Sequence, residues 1–128
     1  MVQELLLSQP ERKSLPKGTY TITNLAKILK IGERTLADSF KKGTWPFLII
    51  RFGRNIRIDK SSFENWFHGE YEKFTLLDTY TISEVSSILS IKYPTAYRFV
   101  KEQTMFRVLR IGSNIRIHKQ SFDNWYNS

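Results

Sequence analysis

The sequence predicts a mainly α chain with small β-hairpins, an α+β protein made of two copies of one unit. Three observations carry that expectation. Residues 53–66 (GRNIRIDKSSFENW) and 112–125 (GSNIRIHKQSFDNW) agree at ten of fourteen positions, so the chain is internally duplicated. Within each copy, Ile-Arg-Ile follows Gly and Asn, which marks a short strand behind a tight turn. Upstream of each copy, apolar residues recur at helical spacing in two successive stretches.

Taken in order, residues 1–18 contain Pro10, Pro16 and Gly18, which argue for an arm rather than a packed element. Arg12, Lys13 and Lys17 could lay this arm on DNA, or it could serve as a tail. The repeat then opens at Tyr20-Thr21-Ile22 and again at Tyr80-Thr81-Ile82. Thr81 with Glu84 three residues on predicts a capping box, whereas Asn24 stands at the matching place after Thr21 and predicts a weaker helix start. Leu25, Ile28 and Leu29, matched by Val85, Ile88 and Leu89, supply the inward stripe of a first helix. After a three-residue turn a second helix is expected over residues 33–42 and 93–102, with Pro94 suited to its first turn. Leu36 and Phe40, or Ala96 and Val100, face inward.

Partner strands come from Leu48-Ile49-Ile50-Arg51 and Val108-Leu109-Arg110, and each hairpin leads into a closing helix anchored by Phe63 and Trp66 or by Phe122 and Trp125. Two helices around a tight turn followed by a hairpin make a winged helix-turn-helix. The chain therefore divides into an arm (1–18), a first module (19–69), a joining segment (70–78) and a second module (79–128). Tyr71, Phe74, Leu76 and Leu77 are too apolar for a free tether, so the joining segment is expected to pack on the modules.

Twenty Lys/Arg against twelve Asp/Glu, a net charge of +8, suit a polyanionic partner, most often nucleic acid. The excess is spread along the chain, with 13 basic against 8 acidic residues through position 74 and 7 against 4 beyond it. The chain has no cysteine, which excludes disulfides, thiolate metal sites and Cys nucleophiles. Leu5-Leu6-Leu7 is too short for a signal segment and lacks a basic flank, so an intracellular protein is expected. His68 and His118 read as lone histidines without a second ligand at metal spacing. No nucleophile–base pair or phosphate-cradling glycine loop occurs, so neither enzymatic chemistry nor a cofactor is expected.

The order of motifs in the second copy resembles the excisionase-type branch of MerR-like winged-helix DNA-binding domains. It runs Tyr80-Thr81-Ile82-Ser83-Glu84, Pro94-Thr95-Ala96-Tyr97-Arg98, Arg110-Ile111-Gly112-Ser113-Asn114-Ile115-Arg116-Ile117 and Ser121-Phe122-Asp123-Asn124-Trp125. The first copy fits the same frame through Thr21-Ile22, Arg34-Thr35, Gly53, Ile56-Arg57-Ile58, Phe63 and Trp66. The resemblance implies a recognition helix in the major groove and a wing at the minor groove or backbone. It also implies a mobile-element setting in a bacterial or phage context, a cytoplasmic, nucleoid-associated location, and an integrase-type recombinase as a further partner. Two modules in one chain depart from the usual single domain and suggest an internal pseudo-dimer, or cooperative assembly on DNA.

On the outward faces of the second helices lie Arg34, Thr35, Asp38, Lys41 and Lys42, and Thr95, Tyr97, Arg98 and Lys101. Arg98 can fork onto guanine O6 and N7; the hydroxyls and lysines suit phosphate oxygens. Asp38 stands where the family commonly has Arg, as Arg98 is in the second copy, and would repel phosphate unless it accepts from a cytosine amine. The wings contribute Arg51, Arg54, Asn55 and Arg57, and Arg110, Ser113, Asn114 and Arg116. Arg54 at the first tip is placed for a narrow minor groove. Arg57 and Arg116 could equally pair with a carboxylate of the closing helix, and Trp45 could be an exposed contact. The expected function is double-stranded DNA binding, as a recombination directionality or architectural factor or as a transcriptional regulator of a mobile-element operon. A protein-interaction adaptor that retains the fold is the reading from a different class.

Overall fold

A computed structural model of the chain describes residues 18–42, 45–69 and 73–128. Arg12, Lys13 and Lys17 of the arm, and Tyr71 of the joining segment, lie outside the described residues. Six helices and two three-stranded antiparallel sheets form two runs of the same element order, β-α-α-β-β-α. The first run is β1 (Thr19–Tyr20), α1 (Ile22–Leu29), α2 (Glu33–Phe40), β2 (Ile49–Phe52), β3 (Asn55–Asp59) and α3 (Lys60–His68). The second is β4 (Thr79–Tyr80), α4 (Ile82–Leu89), α5 (Tyr93–Glu102), β5 (Val108–Ile111), β6 (Asn114–His118) and α6 (Lys119–Tyr126). No described helix is long and apolar enough to cross a membrane.

Each first helix begins with a closed capping box. The Thr81 amide donates to Glu84 at 2.8 Å, and the Thr21 amide to Asn24 Oδ1 at the same distance. The weaker start expected at Thr21 is thus not seen in the geometry: Asn24 reaches the same backbone amide, and Glu84 differs in adding a negative charge to the first turn. Both helices end on a left-handed residue, Lys30 and Ser90, each at φ 56° and ψ 46°. That conformation lets the next amide return to the helix (Ile31 to Ala26, Ile91 to Ser86) and turns the chain into the following helix. The second helix of the first run stops at Phe40, two residues short of expectation, and Lys41 is its C-cap.

Each hairpin turns through a positive-φ glycine, Gly53 at 59° or Gly112 at 58°. Register pairs Ile49 with Ile58 and Phe52 with Asn55, and in the second sheet Val108 with Ile117 and Ile111 with Asn114. The sheets carry a third strand that sequence periodicity did not reveal. Thr19–Tyr20 and Thr79–Tyr80 pair with Ile58–Asp59 and Ile117–His118, and two residues are too few to display alternation.

The closing helices start on unlike caps at the same position. Asp59 accepts from the Ser62 amide at 2.9 Å, and His118 Nδ1 accepts from the Ser121 amide at 3.1 Å. Phe63 and Phe122 are fully buried, with Trp66 and Trp125 packed beside them. Tyr20 and Tyr80 tie the sheets to these helices by donating to Glu64 and Asp123, and burial together with those carboxylates raises both phenols above their usual pKa.

The halves are docked. Leu109 and Ile111 of β5, each 1% exposed, belong to the core of the first half. Arg116 on β6 donates through Nε to Leu29 O at 2.7 Å and through Nη2 to Lys30 O at 2.8 Å, satisfying the exposed carbonyls at the end of α1. Thr79 Oγ1 donates to Ile28 O at 2.8 Å, and Lys30 Nζ reaches Thr79 O and Glu84 in return. Arg107 donates to Phe67 O and Trp66 O at the end of α3. Gly69 follows at φ 59°, and a Cβ there would sit 2.7 to 2.9 Å from the Arg107 guanidinium. His68 and His118, read from sequence as lone, meet across this junction at 2.8 Å. Fifty residues separate them, so spacing could not have paired them. Of the described part of the joining segment, Leu77 lies on the first core and the amides of Thr75 and Leu76 donate to Gln120, whereas the Leu76 side chain, expected to pack, is exposed.

This contact joins the sheet of the second half to the helix ends of the first. The surfaces are unlike, so the halves stand head to tail, whereas a two-fold pseudo-dimer would use the same surface twice.

Candidate nucleic-acid interface

Residues 93–102 form a helix because Pro94 occupies its first turn, and Ala96 and Val100 bury one stripe. The opposite face presents Thr95, Tyr97, Arg98 and Lys101, all exposed. Tyr93 joins them with its ring stacked near that of Tyr97, centroids 6.4 Å apart, and Lys101 Nζ lies 5.0 Å from the Tyr97 ring. The sequence reading passed over Tyr93; its position four residues before Tyr97, hence on the same face, was the available signal. A cleft lined by Thr81, Ser83, Tyr93, Tyr97, Ser113 and Asn114 connects this face to the start of α4 and the second hairpin tip.

In the first half, Leu36 and Phe40 bury the inner stripe of α2 and leave Arg34, Thr35, Asp38, Lys41 and Lys42 exposed. Asp38 pairs with Lys41 at 3.8 Å, both well exposed, so the pair adds little stability while part of the local cation charge is offset. Trp45 is not a free contact residue: it is half-buried, edge-on to Phe40 at 4.8 Å.

The hairpins place their arginines differently. Arg51 donates to Phe40 O at 2.9 Å, bracing the end of α2. Arg54 and Asn55 are exposed at the first tip, and Arg57 is half-buried, bonded to Ile56 O of its own strand. Neither Arg57 nor Arg116 pairs with a carboxylate of a closing helix. Arg116 commits its guanidinium to the carbonyls ending α1, while its side chain also lines the cleft beside Tyr93 and Tyr97. At the second hairpin Ser113 and Arg110 are exposed, and Asn114 is half-buried.

Arg110 lies between the exposed faces of α2 and α5. It lines one groove with Ser39, Lys42, Trp45 and Pro46 of the first half, and another with Lys101, Gln103 and Thr104 of the second. Lys42, Arg110 and Lys101 therefore form one connected cationic band across the junction. Among the described residues no group of three or more His, Cys, Asp or Glu is arranged to hold a metal ion.

Residues 79–128 match the family model of the helix-turn-helix domain. The matched segment runs from β4 through α6 and contains Thr95, Tyr97, Arg98 and Lys101. Within the matched segment, α4 and α5 are the two helices joined by the short turn. No curated protein and no solved structure matches the chain.

Proposed function

We propose that the chain is a non-enzymatic, double-stranded DNA-binding protein of two tandem winged helix-turn-helix modules, acting as an architectural factor of the excisionase kind. The observation that carries this reading is the connected band Lys42–Arg110–Lys101 between two helices, α2 and α5, whose polar faces are exposed. Arg98 reads a guanine, Tyr97, Thr95 and Lys101 fix α5 on phosphates, and Arg54 enters the adjacent minor groove. Because the halves stand head to tail, the two half-sites share one orientation and lie about one helical turn apart. Covalent linkage makes the second contact intramolecular, so two modest modules combine into useful affinity.

Footprinting on DNA flanking the coding region tests the site, and titration of the cognate and random duplexes tests the mode. Arg98→Ala should weaken the cognate site by about 1–3 kcal/mol and random DNA far less. Equal losses on both would reject base readout. Protection beside an attachment sequence supports the recombination role and an integrase-type recombinase as partner, whereas protection over a promoter assigns the chain to transcriptional control.

A further inference from the structure

The two surfaces that join the halves each recur, without a partner among the described residues, at the other end of the molecule. In the second half, Leu109 and Ile111 are 1% exposed because they enter the first core; their counterparts in the first hairpin are Ile50, half-buried, and Phe52, 58% exposed. Phe67, fully buried where the second half rests on it, corresponds to Tyr126, 49% exposed. Leu29 and Ile31 are buried at the receiving end, while Leu89 and Ile91 are only half-buried. We propose that the chain self-associates head to tail, the first hairpin of one copy (Leu48, Ile50, Phe52, Arg57) docking on the helix ends of the next (Leu89, Ser90, Ile91, Tyr126).

The polar geometry for such a contact is already in place. Arg57 makes the same local bond as Arg116, its Nη1 donating to the preceding isoleucine carbonyl at 3.0 Å as Arg116 Nη1 does at 2.9 Å. Its receptor is equally preset, since Ser90 ends α4 with the backbone angles of Lys30 and so turns the Leu89 and Ser90 carbonyls outward in the same way.

Three contacts of the internal junction are not reproduced, the first being the histidine pair, since Asp59 and Asn127 stand at the places of His118 and His68. Ser90 is too short to replace Lys30, and Leu48 stands in the place of Arg107, so an apolar Leu48–Tyr126 contact takes over from charged hydrogen bonds. Without the joining segment, association must also proceed at the free concentration of the chain, so it is reversible where the internal contact is permanent. Unlike surfaces used once per copy generate a growing helical array or a ring. The proposal concerns the protein alone and stands or falls without DNA.

Sedimentation of the full chain across a concentration series, without DNA, is the test. The weight-average mass of the wild type should rise with concentration. Phe52→Asp and Tyr126→Asp each place a charge in the contact and should weaken association at least about tenfold. Each variant keeps the face that the other has lost, so an equimolar mixture should form dimers and grow no further. A wild type that stays monomeric overturns the proposal, as does one that assembles only after residues 1–17, with their Leu5-Leu6-Leu7, are removed, because the arm would then own the face. A mixture that stays monomeric while both variants retain native circular dichroism also overturns it. Should Phe52→Asp lose that signature, Phe52→Ser serves in its place.

Discussion

The two hairpins have nearly one sequence and two occupations. Asn-Ile-Arg-Ile follows the turn glycine region in both, and both arginines bond the preceding isoleucine carbonyl. Yet the second hairpin is a structural clasp, with Leu109, Ile111 and Arg116 holding the first half, while the first leaves Ile50, Phe52 and Arg57 at the surface. The difference teaches that a repeated motif specifies its own hairpin but not what the hairpin is used for. That depends on which helix end happens to lie opposite.

The comparison can be broken most forcefully at the apolar contact. Leu109→Ala should cost about 2–4 kcal/mol in urea unfolding, because a fully buried leucine is removed from a shared core. Ile50→Ala, at the corresponding half-exposed place, should cost under about 1 kcal/mol. Equal costs would show that the halves do not depend on the clasp. The same pairing applies to the arginines: Arg116→Ala should cost about 2 kcal/mol, two charge-assisted bonds to helix-end carbonyls being lost. Arg57→Ala should stay within about 0.5 kcal/mol at concentrations where the chain is monomeric.

Acid provides a third probe. Burial draws His118 down to about 4 from an ordinary 6.5, with His68 and Arg107 adding to the effect. His68 is lowered as well, chiefly by burial. The Ser121 amide donates to His118 Nδ1, so the His118 proton is on Nε2 and is donated to His68 Nδ1. A proton on either acceptor, His118 Nδ1 or His68 Nδ1, breaks this chain. Between pH 6.5 and about 4 the unfolded chain binds more protons than the folded one. The histidine contribution to stability should therefore be lost as pH is lowered through that window, the loss being complete below it, where protonation of Glu84, held low against its burial by Thr81 and Lys30, takes over. His118→Asn, which keeps a helix-capping oxygen, should flatten the curve; an unchanged curve would place the acid sensitivity elsewhere. The smallest effect is expected at the tips. Arg54→Ala should reduce the salt slope of DNA binding by about one unit, and Ser113→Ala should leave it unaltered. Equal slopes would remove the asymmetry between the wings.

Much of the fold was legible because its signals are local. Capping at Thr81, Pro94 in a first turn, the Leu25–Leu29 stripe and the Gly53 turn each involve residues within a few positions of one another. The exposed faces of α2 and α5 follow from the same periodicity, which is why Arg34, Thr35, Arg98 and Lys101 were found. What escaped depends on pairs distant in the chain. Thr19–Tyr20 become a strand only by lying beside Ile58–Asp59. Arg116 reads as a wing arginine until the end of α1 is opposite it, and the histidine pair exists only through docking. Charge counting likewise found the excess of cations but not the band, since Arg110 bridges Lys42 and Lys101 only when the halves meet.

Gly69 has a consequence that reaches beyond its own turn. With no side chain and a positive φ, it ends one helix and gives the Arg107 guanidinium room to lie across that end. Any larger residue there would push the arginine aside and unfasten one corner of the joint. An absent methyl thus sets how tightly one corner of the two halves is fastened, beside the contacts of Leu109, Ile111 and Arg116.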